Sequence, residues 1–278
     1  MIRLMPLLAS LLATTWANLA PAQELAVSDV PEIDDIVQID MLPGWQNDSG
    51  DHIAALRVVL APGWKTYWRV AGETGIPPQF NWSGSVNVAS VQYLWPRPDV
   101  FTADGVQVIG FKNELILPIQ ITPHDPKQAI SASAALNLGI CKDVCMPISA
   151  DINLDAVTGS AGEQFLIELA LANRPQAIGI DAKSSVACDL TPIEDGYQIK
   201  AAFSSPNAGK GTGLVVFETA LDNIWVAPTT SQRQGDVILA ETSLISFDGA
   251  AFSLAPDDLR VTIIWPDHAL DILGCPPS

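Results

Sequence analysis

The sequence predicts an all-β protein: a β-sandwich followed by a second, smaller β domain, with a short helix between them. Three observations carry this. Short apolar or alternating runs recur along both halves and are separated by turn residues, the pattern of antiparallel sandwiches or barrels. The 21 prolines and 19 glycines are spread along the 278 residues, which favours short elements and many turns. A single stretch breaks the texture with helical spacing, and it lies near the middle of the chain.

In the first half the candidate strands are residues 53–60, 87–94, 114–121, 131–138 and 146–154. Between them lie the turn signals Pro62-Gly63, Gly75-Ile76-Pro77-Pro78, Ala103-Asp104-Gly105 and Pro123-His124-Asp125-Pro126. Gly159-Ser160-Ala161-Gly162 then leads into a run in which Phe165, Leu166, Leu169 and Ala170 fall at helical spacing. Ser160 is placed to cap that helix and Pro175 to stop it. Strand-like runs return at 198–203, 213–218, 237–245 and 260–265. The expected division is a leader over 1–22, a sandwich over 23–157, a linker with a short helix over 158–176, and a second β domain over 177–278.

The leader is read from Arg3, the apolar run 4–13 and the small residues ending in Ala20-Pro21-Ala22, which together have the form of a secretory signal peptide. The apolar run is shorter than the roughly 20 residues a spanning helix needs, and no later segment supplies them. Export to a bacterial periplasm is therefore expected, where disulfides form and persist. A balance of 14 basic against 31 acidic side chains gives a formal charge of -17. A surface of that sign repels phosphate backbones, so nucleic acid is not an expected partner.

Four cysteines allow three full pairings, and the economical one joins Cys141 to Cys145 and Cys188 to Cys275. Closing a loop of about 88 residues at Cys188 and Cys275 would contribute about 4.6 kcal/mol through chain entropy, which suits a structural link. Closing about five residues at Cys141 and Cys145 gives only about 2 kcal/mol. In a continuous strand those two cysteines would stand about 13 Å apart, beyond the roughly 7 Å limit for a disulfide, so the chain must reverse at Lys142-Asp143-Val144. A tight bridge at a hairpin end is the labile, exchanging type. Lys142 favours a thiolate at Cys141, whereas Asp143 opposes it. Three readings of the pair stay open at this point. They are a redox-active disulfide, a small structural staple, and a Cu(I) site formed by Cys141, Cys145 and the adjacent Met146.

No Cys/His set has zinc-finger spacing, and no phosphate-cradling glycine loop or dinucleotide fingerprint occurs, so no cofactor is expected. His52, His124 and His268 are scattered, with none beside a nucleophile in a recognisable motif. The aromatics Trp64, Tyr67, Trp68, Trp82, Tyr93 and Trp95 are expected to pack in a core, with Lys65 and Arg69 solvated beside them.

The segment Gly139-Ile140-Cys141-Lys142-Asp143-Val144-Cys145-Met146-Pro147 resembles the active-site segment of the DsbD N-terminal domain family, which includes ScsB-like proteins. So do Gly63-Trp64-Lys65-Thr66-Tyr67-Trp68-Arg69, then Gly75-Ile76-Pro77-Pro78 and Phe80-Asn81-Trp82, and after them Leu94-Trp95-Pro96, Gly110-Phe111-Lys112 and Leu115-Ile116-Leu117-Pro118. The blocks follow the family's order from Trp45 to Ala156. The resemblance implies an immunoglobulin-like sandwich in the periplasm whose Cys141 and Cys145 exchange disulfides. A membrane electron-transfer protein of DsbD/CcdA type and thioredoxin-like periplasmic proteins are its implied partners. An aromatic cap over the pair is also implied, with Phe101 the candidate. Two departures stand out: better-known members have a longer gap between the cysteines, and they continue into membrane and thioredoxin-like domains that are not recognisable here. The expected role is to pass reducing equivalents between such a partner and client proteins.

Overall fold

A computed structural model describes residues 32–103, 105–155, 157–178, 186–204 and 211–276. The expected leader at 1–22 lies outside the described residues. From Ile33 onward the chain forms one compact unit. A single helical turn, α1 (Ile33–Ile36), opens it and runs directly into the first strand.

The first sandwich is built from ten strands: β1 (Val37–Gln46), β2 (His52–Leu60), β3 (Lys65–Gly72), β4 (Gln79–Asn81), β5 (Ser90–Tyr93), β6 (Asp99–Ala103), β7 (Val106–Lys112), β8 (Glu114–Thr122), β9 (Ser131–Cys141) and β10 (Cys145–Asp155). One sheet has the order β1-β2-β8-β5, and the other runs β10-β9-β3-β7-β6, with β4 also paired to β9. Pairing between these strands is antiparallel. Alternation sorts the residues by face. Even-numbered residues of β9, from Ala132 to Ile140, point into the core with Trp68 of β3 and Ile109 of β7. The neighbouring odd-numbered residues of β9 and β3, including Cys141 and Tyr67, face outward.

The helix α2 (Ala161–Ala172) begins at Ser160 with a full capping box, in which Ser160 accepts from the Glu163 backbone and the Glu163 carboxylate accepts from the Ser160 N–H. It does more than connect. Ile167 is wholly buried against Leu42, Ile53 and Ala55, so the helix covers the outer face of the β1–β2 ladder. Of the four residues at helical spacing, Leu166 packs against this cluster and Ala170 is half-buried, while Phe165 and Leu169 are exposed. The helix carries apolar side chains nearly all round, so periodicity alone does not select the buried stripe.

The second sandwich contains β11 (Gln176–Ile178), β12 (Val186–Ile193), β13 (Gly196–Ser204), β14 (Leu214–Thr219), β15 (Ile224–Val226), β16 (Thr230–Gln234), β17 (Val237–Ser246), β18 (Leu259–Ile264) and β19 (Ala269–Leu273). Its sheets have the orders β11-β19-β18-β14 and β12-β13-β17-β15, with β16 also on β17. On β14, Val215 and Phe217 enter the second core, whereas Val216 between them belongs to the first. Ile264 and Ala269 join Val216 there, so one sheet serves both cores.

That shared boundary corrects the expectation of a solvated Arg69. Its guanidinium makes two hydrogen bonds to the Glu218 carboxylate, at 2.8 and 2.9 Å, and a third to the Thr262 hydroxyl at 3.1 Å. It also lies 3.8 Å from the Trp68 ring centre. Residues 149 positions apart meet in that ion pair, a relation no local pattern can reveal.

Candidate functional site

The chain reverses at Lys142-Asp143-Val144, where the Lys142 N–H donates to the Val144 carbonyl at 3.3 Å. This brings Cys141, the last residue of β9, directly opposite Cys145, the first of β10, with their Cα atoms 4.1 Å apart and their sulfurs bonded. The two cysteines are unequal. Cys141 has no exposed surface, whereas Cys145 is exposed.

Cys141 is enclosed by Tyr67, Ala71 and Val108, a small apolar cluster on the outer face of the second sheet. The Tyr67 hydroxyl lies 2.6 Å from the Cys141 sulfur and 3.2 Å from that of Cys145. Burial pushes the Tyr67 phenol above its ordinary value, so the hydroxyl keeps its proton at neutral pH and can donate. The ring fits because two neighbours lack a Cβ: one on Gly75 would stand 2.4 Å from it, and one on Gly139 would stand 3.1 Å away. β3 fixes the height of the hydroxyl, since Lys65 pairs with Cys141 and Thr66 with Ile140, and the Thr66 hydroxyl donates to the Gly139 carbonyl at 2.9 Å.

Phe101 packs against the same cluster. It stands on the edge strand β6, opposite Val108, rather than in a loop. The Lys112 ammonium lies 4.3 Å from its ring centre. Lys65 donates to the Lys142 carbonyl at 3.1 Å and so ties β3 to the cysteine hairpin.

Met146 lies one position along from Cys145 and is packed against the first core, on the opposite face of the strand. Cys188 and Cys275 are bonded to each other and buried in the second core, joining β12 to the segment after β19. His52 is buried, donating its Nε2 proton to the Pro43 carbonyl at 2.5 Å, and His268 is stacked on Trp265. Neither has a hydrogen bond to the cysteine pair among the described residues.

The family description "Thiol:disulfide interchange protein DsbD, N-terminal" matches residues 38–156, a span that holds both sheets of the first sandwich and the Cys141–Cys145 hairpin. Residues 38–156 form a DsbD N-terminal-like domain. The description matched is that of a thiol:disulfide interchange protein, and the domain has the immunoglobulin-like fold that the sequence resemblance implies. The chain is also similar to the crystal structure of the N-terminal periplasmic domain of ScsB from Proteus mirabilis. That match has 23% identity and a TM-score of 0.62, covering 87% of this chain and 92% of that one, so the likeness of fold extends beyond the DsbD N-terminal-like domain into the second sandwich. The reduced N-terminal domain of DsbD from Neisseria meningitidis aligns at 10% identity over 45% of this chain and 89% of that one, with a TM-score of 0.28. No curated protein matches the sequence.

Tyr67 is the site residue that sequence reasoning assigned to the core. It is buried like a core residue, but on the outward face of its strand. The available signal was parity: Tyr67 shares a strand face with Lys65, while Thr66 and Trp68 share the other.

Proposed function

We propose that the DsbD N-terminal-like domain is a thiol–disulfide exchange module in which Cys145 takes the incoming thiol and Cys141 is the buried partner. The observation that carries this is the unequal burial of the two cysteines, with the Tyr67 hydroxyl nearer the sulfur of the buried one. A partner thiolate attacks the sulfur of Cys145, the more exposed residue, the Cys141–Cys145 bond breaks, and its electron pair leaves on Cys141 as a thiolate. Tyr67 donates a hydrogen bond to that thiolate, a charge-assisted contact. The partner's second thiolate then attacks its own sulfur in the mixed disulfide and releases Cys145. The module is left as a dithiol and the partner as a disulfide. Run in reverse, the Cys145 thiolate attacks a client disulfide and Cys141 resolves the mixed disulfide. The proposed setting is the periplasm, with a DsbD/CcdA-type membrane protein or a thioredoxin-like protein as donor. No described helix is long and apolar enough to cross a membrane.

The copper reading retains two sulfurs but not its third ligand, because Met146 packs into the core on the face opposite Cys145. Trapping separates the roles of the two cysteines. The Cys141→Ser variant, with Cys145 free, should accumulate a mixed disulfide with a reduced-then-activated thioredoxin-like protein. Cys145→Ser should give little adduct. Equal trapping by both variants, or trapping only through Cys141, overturns the assignment.

A further inference from the structure

The exchange face carries a charge opposite to that of the molecule. Lys112 on β7 pairs with Lys65 on β3, Lys65 pairs with Cys141 on β9, and Cys141 pairs with Cys145 on β10. One lateral row thus holds two lysines and both sulfurs, and Lys142 adds a third ammonium from the hairpin itself. The Lys142 side chain folds over Gly63, near enough that a Cβ there would stand 3.2 Å from its Cε. Among the described residues no carboxylate pairs with Lys65, Lys112 or Lys142. Asp143 is the one acidic residue in the hairpin loop. Only 14 basic residues occur in a chain of net charge -17, so three ammonium groups with no carboxylate partner near one disulfide make a local field against the general one.

Two further features give this face the character of a protein-docking surface. Val144 at the hairpin tip is 70% exposed, an apolar contact beside the reactive sulfur. A cleft of about 310 Å³ opens between Lys65, Lys112, Phe101 and Trp64. At roughly 4.8 Å between strands, the row from Lys112 to Cys145 is about 14 Å wide, more than one small anion spans.

We infer that this face docks a protein thiol whose reactive cysteine is flanked by acidic side chains, an inference that rests on the exchange reading above. Attraction at the lysine row steers such a partner toward Cys145 and offsets the repulsion that the acidic remainder of the molecule exerts on it. The row sets partner choice, while Cys145 and Cys141 perform the exchange.

The test uses three reduced peptides of equal length, each with one cysteine flanked on both sides by pairs of glutamates, glutamines or lysines. Their rates of reducing the Cys141–Cys145 disulfide in the intact protein are corrected for thiolate fraction. At low salt the glutamate peptide should outpace the glutamine peptide by about tenfold and the lysine peptide by more. The ratio should collapse toward one at about 0.5 M salt in the unaltered protein, where screening is nearly complete. It should collapse equally in the Lys65→Gln, Lys112→Gln, Lys142→Gln triple variant. Equal peptide rates at low salt overturn the inference while leaving the exchange reading intact. So does a preference for 2-mercaptoethanesulfonate over 2-mercaptoethanol as large as the peptide preference, which marks a small-anion site instead. Failure of every thiol, 2-mercaptoethanol included, to reduce the disulfide overturns the exchange reading and the inference with it.

Discussion

The Tyr67 hydroxyl stands 2.6 Å from the sulfur of Cys141, a residue 74 positions away that has no exposed surface. In the oxidised protein this contact is a weak one between neutral groups. It gains strength when Cys141 becomes a thiolate, because hydrogen bonds to charged groups contribute about 1.5–3 kcal/mol. Tyr67→Phe should therefore slow reduction of the disulfide by about tenfold or more at pH 7, since about 1.4 kcal/mol is a factor of ten. The thiol of Cys141 in the reduced variant should titrate higher than in the unaltered protein, as followed by thiolate absorbance. An unchanged rate and an unchanged titration would remove Tyr67 from the chemistry.

The proposed role of Phe101 is to shield the pair rather than to activate it. It packs against the cluster around Cys141 from the edge strand β6. Phe101→Ala should speed reduction by a small uncharged thiol by severalfold and leave the thermal midpoint within a few degrees. A slower reaction in this variant would mean that the ring positions the disulfide instead.

The contact between the sandwiches makes a separate prediction about stability. Arg69 and Glu218 are mostly buried, with side-chain exposures of 13% and 18%, and they are joined in bidentate fashion. Removing one partner strands the other charge, so Arg69→Ala should cost about 2–3 kcal/mol in denaturant unfolding. The double variant with Glu218→Ala should be less destabilised than the sum of the two single ones.

Cys188 and Cys275 are buried in the second core, 87 positions apart. Replacing both with alanine should lower stability by about 3–5 kcal/mol while the Cys141–Cys145 pair still exchanges, as read by denaturant midpoint and by thiol titration. Loss of exchange alone, with stability kept, would reverse the two roles.

His52 gives the pH dependence. Burial lowers its pKa below the ordinary 6.5, with the Pro43 carbonyl partly opposing the shift. The unfolded chain takes up the proton first. Stability from this site is therefore fully present above about pH 6.5 and is lost as pH falls from there through the lowered folded value. His52→Gln, which retains an N–H donor for Pro43, should flatten the fall of thermal midpoint between about pH 6.5 and 5. A parallel fall in both proteins would place the acid sensitivity elsewhere.

Much of the fold was legible from local signals. The β9 and β10 runs alternate cleanly, and Lys142-Asp143-Val144 is short enough that a disulfide across it demands a reversal. Ser160 marked the start of α2, and the structure adds Glu163 as the other half of its capping box. What stayed hidden depends on partners far away in the sequence. The expected strand at 87–94 shortens to Ser90–Tyr93 because Asn87 takes a positive φ and its side chain donates to carbonyls of Asp125 and Gln128. Arg69 looked solvated because Glu218 and Thr262 are distant in the chain. Tyr67 looked like core because its strand carries aromatics on both faces. The different burial of Cys141 and Cys145 is likewise a product of β3 and β6 packing over one of them, and the spacing of two cysteines does not encode it.

The central claim is that Cys141–Cys145 is an exchanging disulfide, and its reduction potential tests that most directly. Equilibrated against a glutathione or dithiothreitol redox buffer, the pair should show a potential above about -300 mV, within reach of thioredoxin-like donors. A potential well below about -300 mV would mark an inert structural bridge and contradict the account.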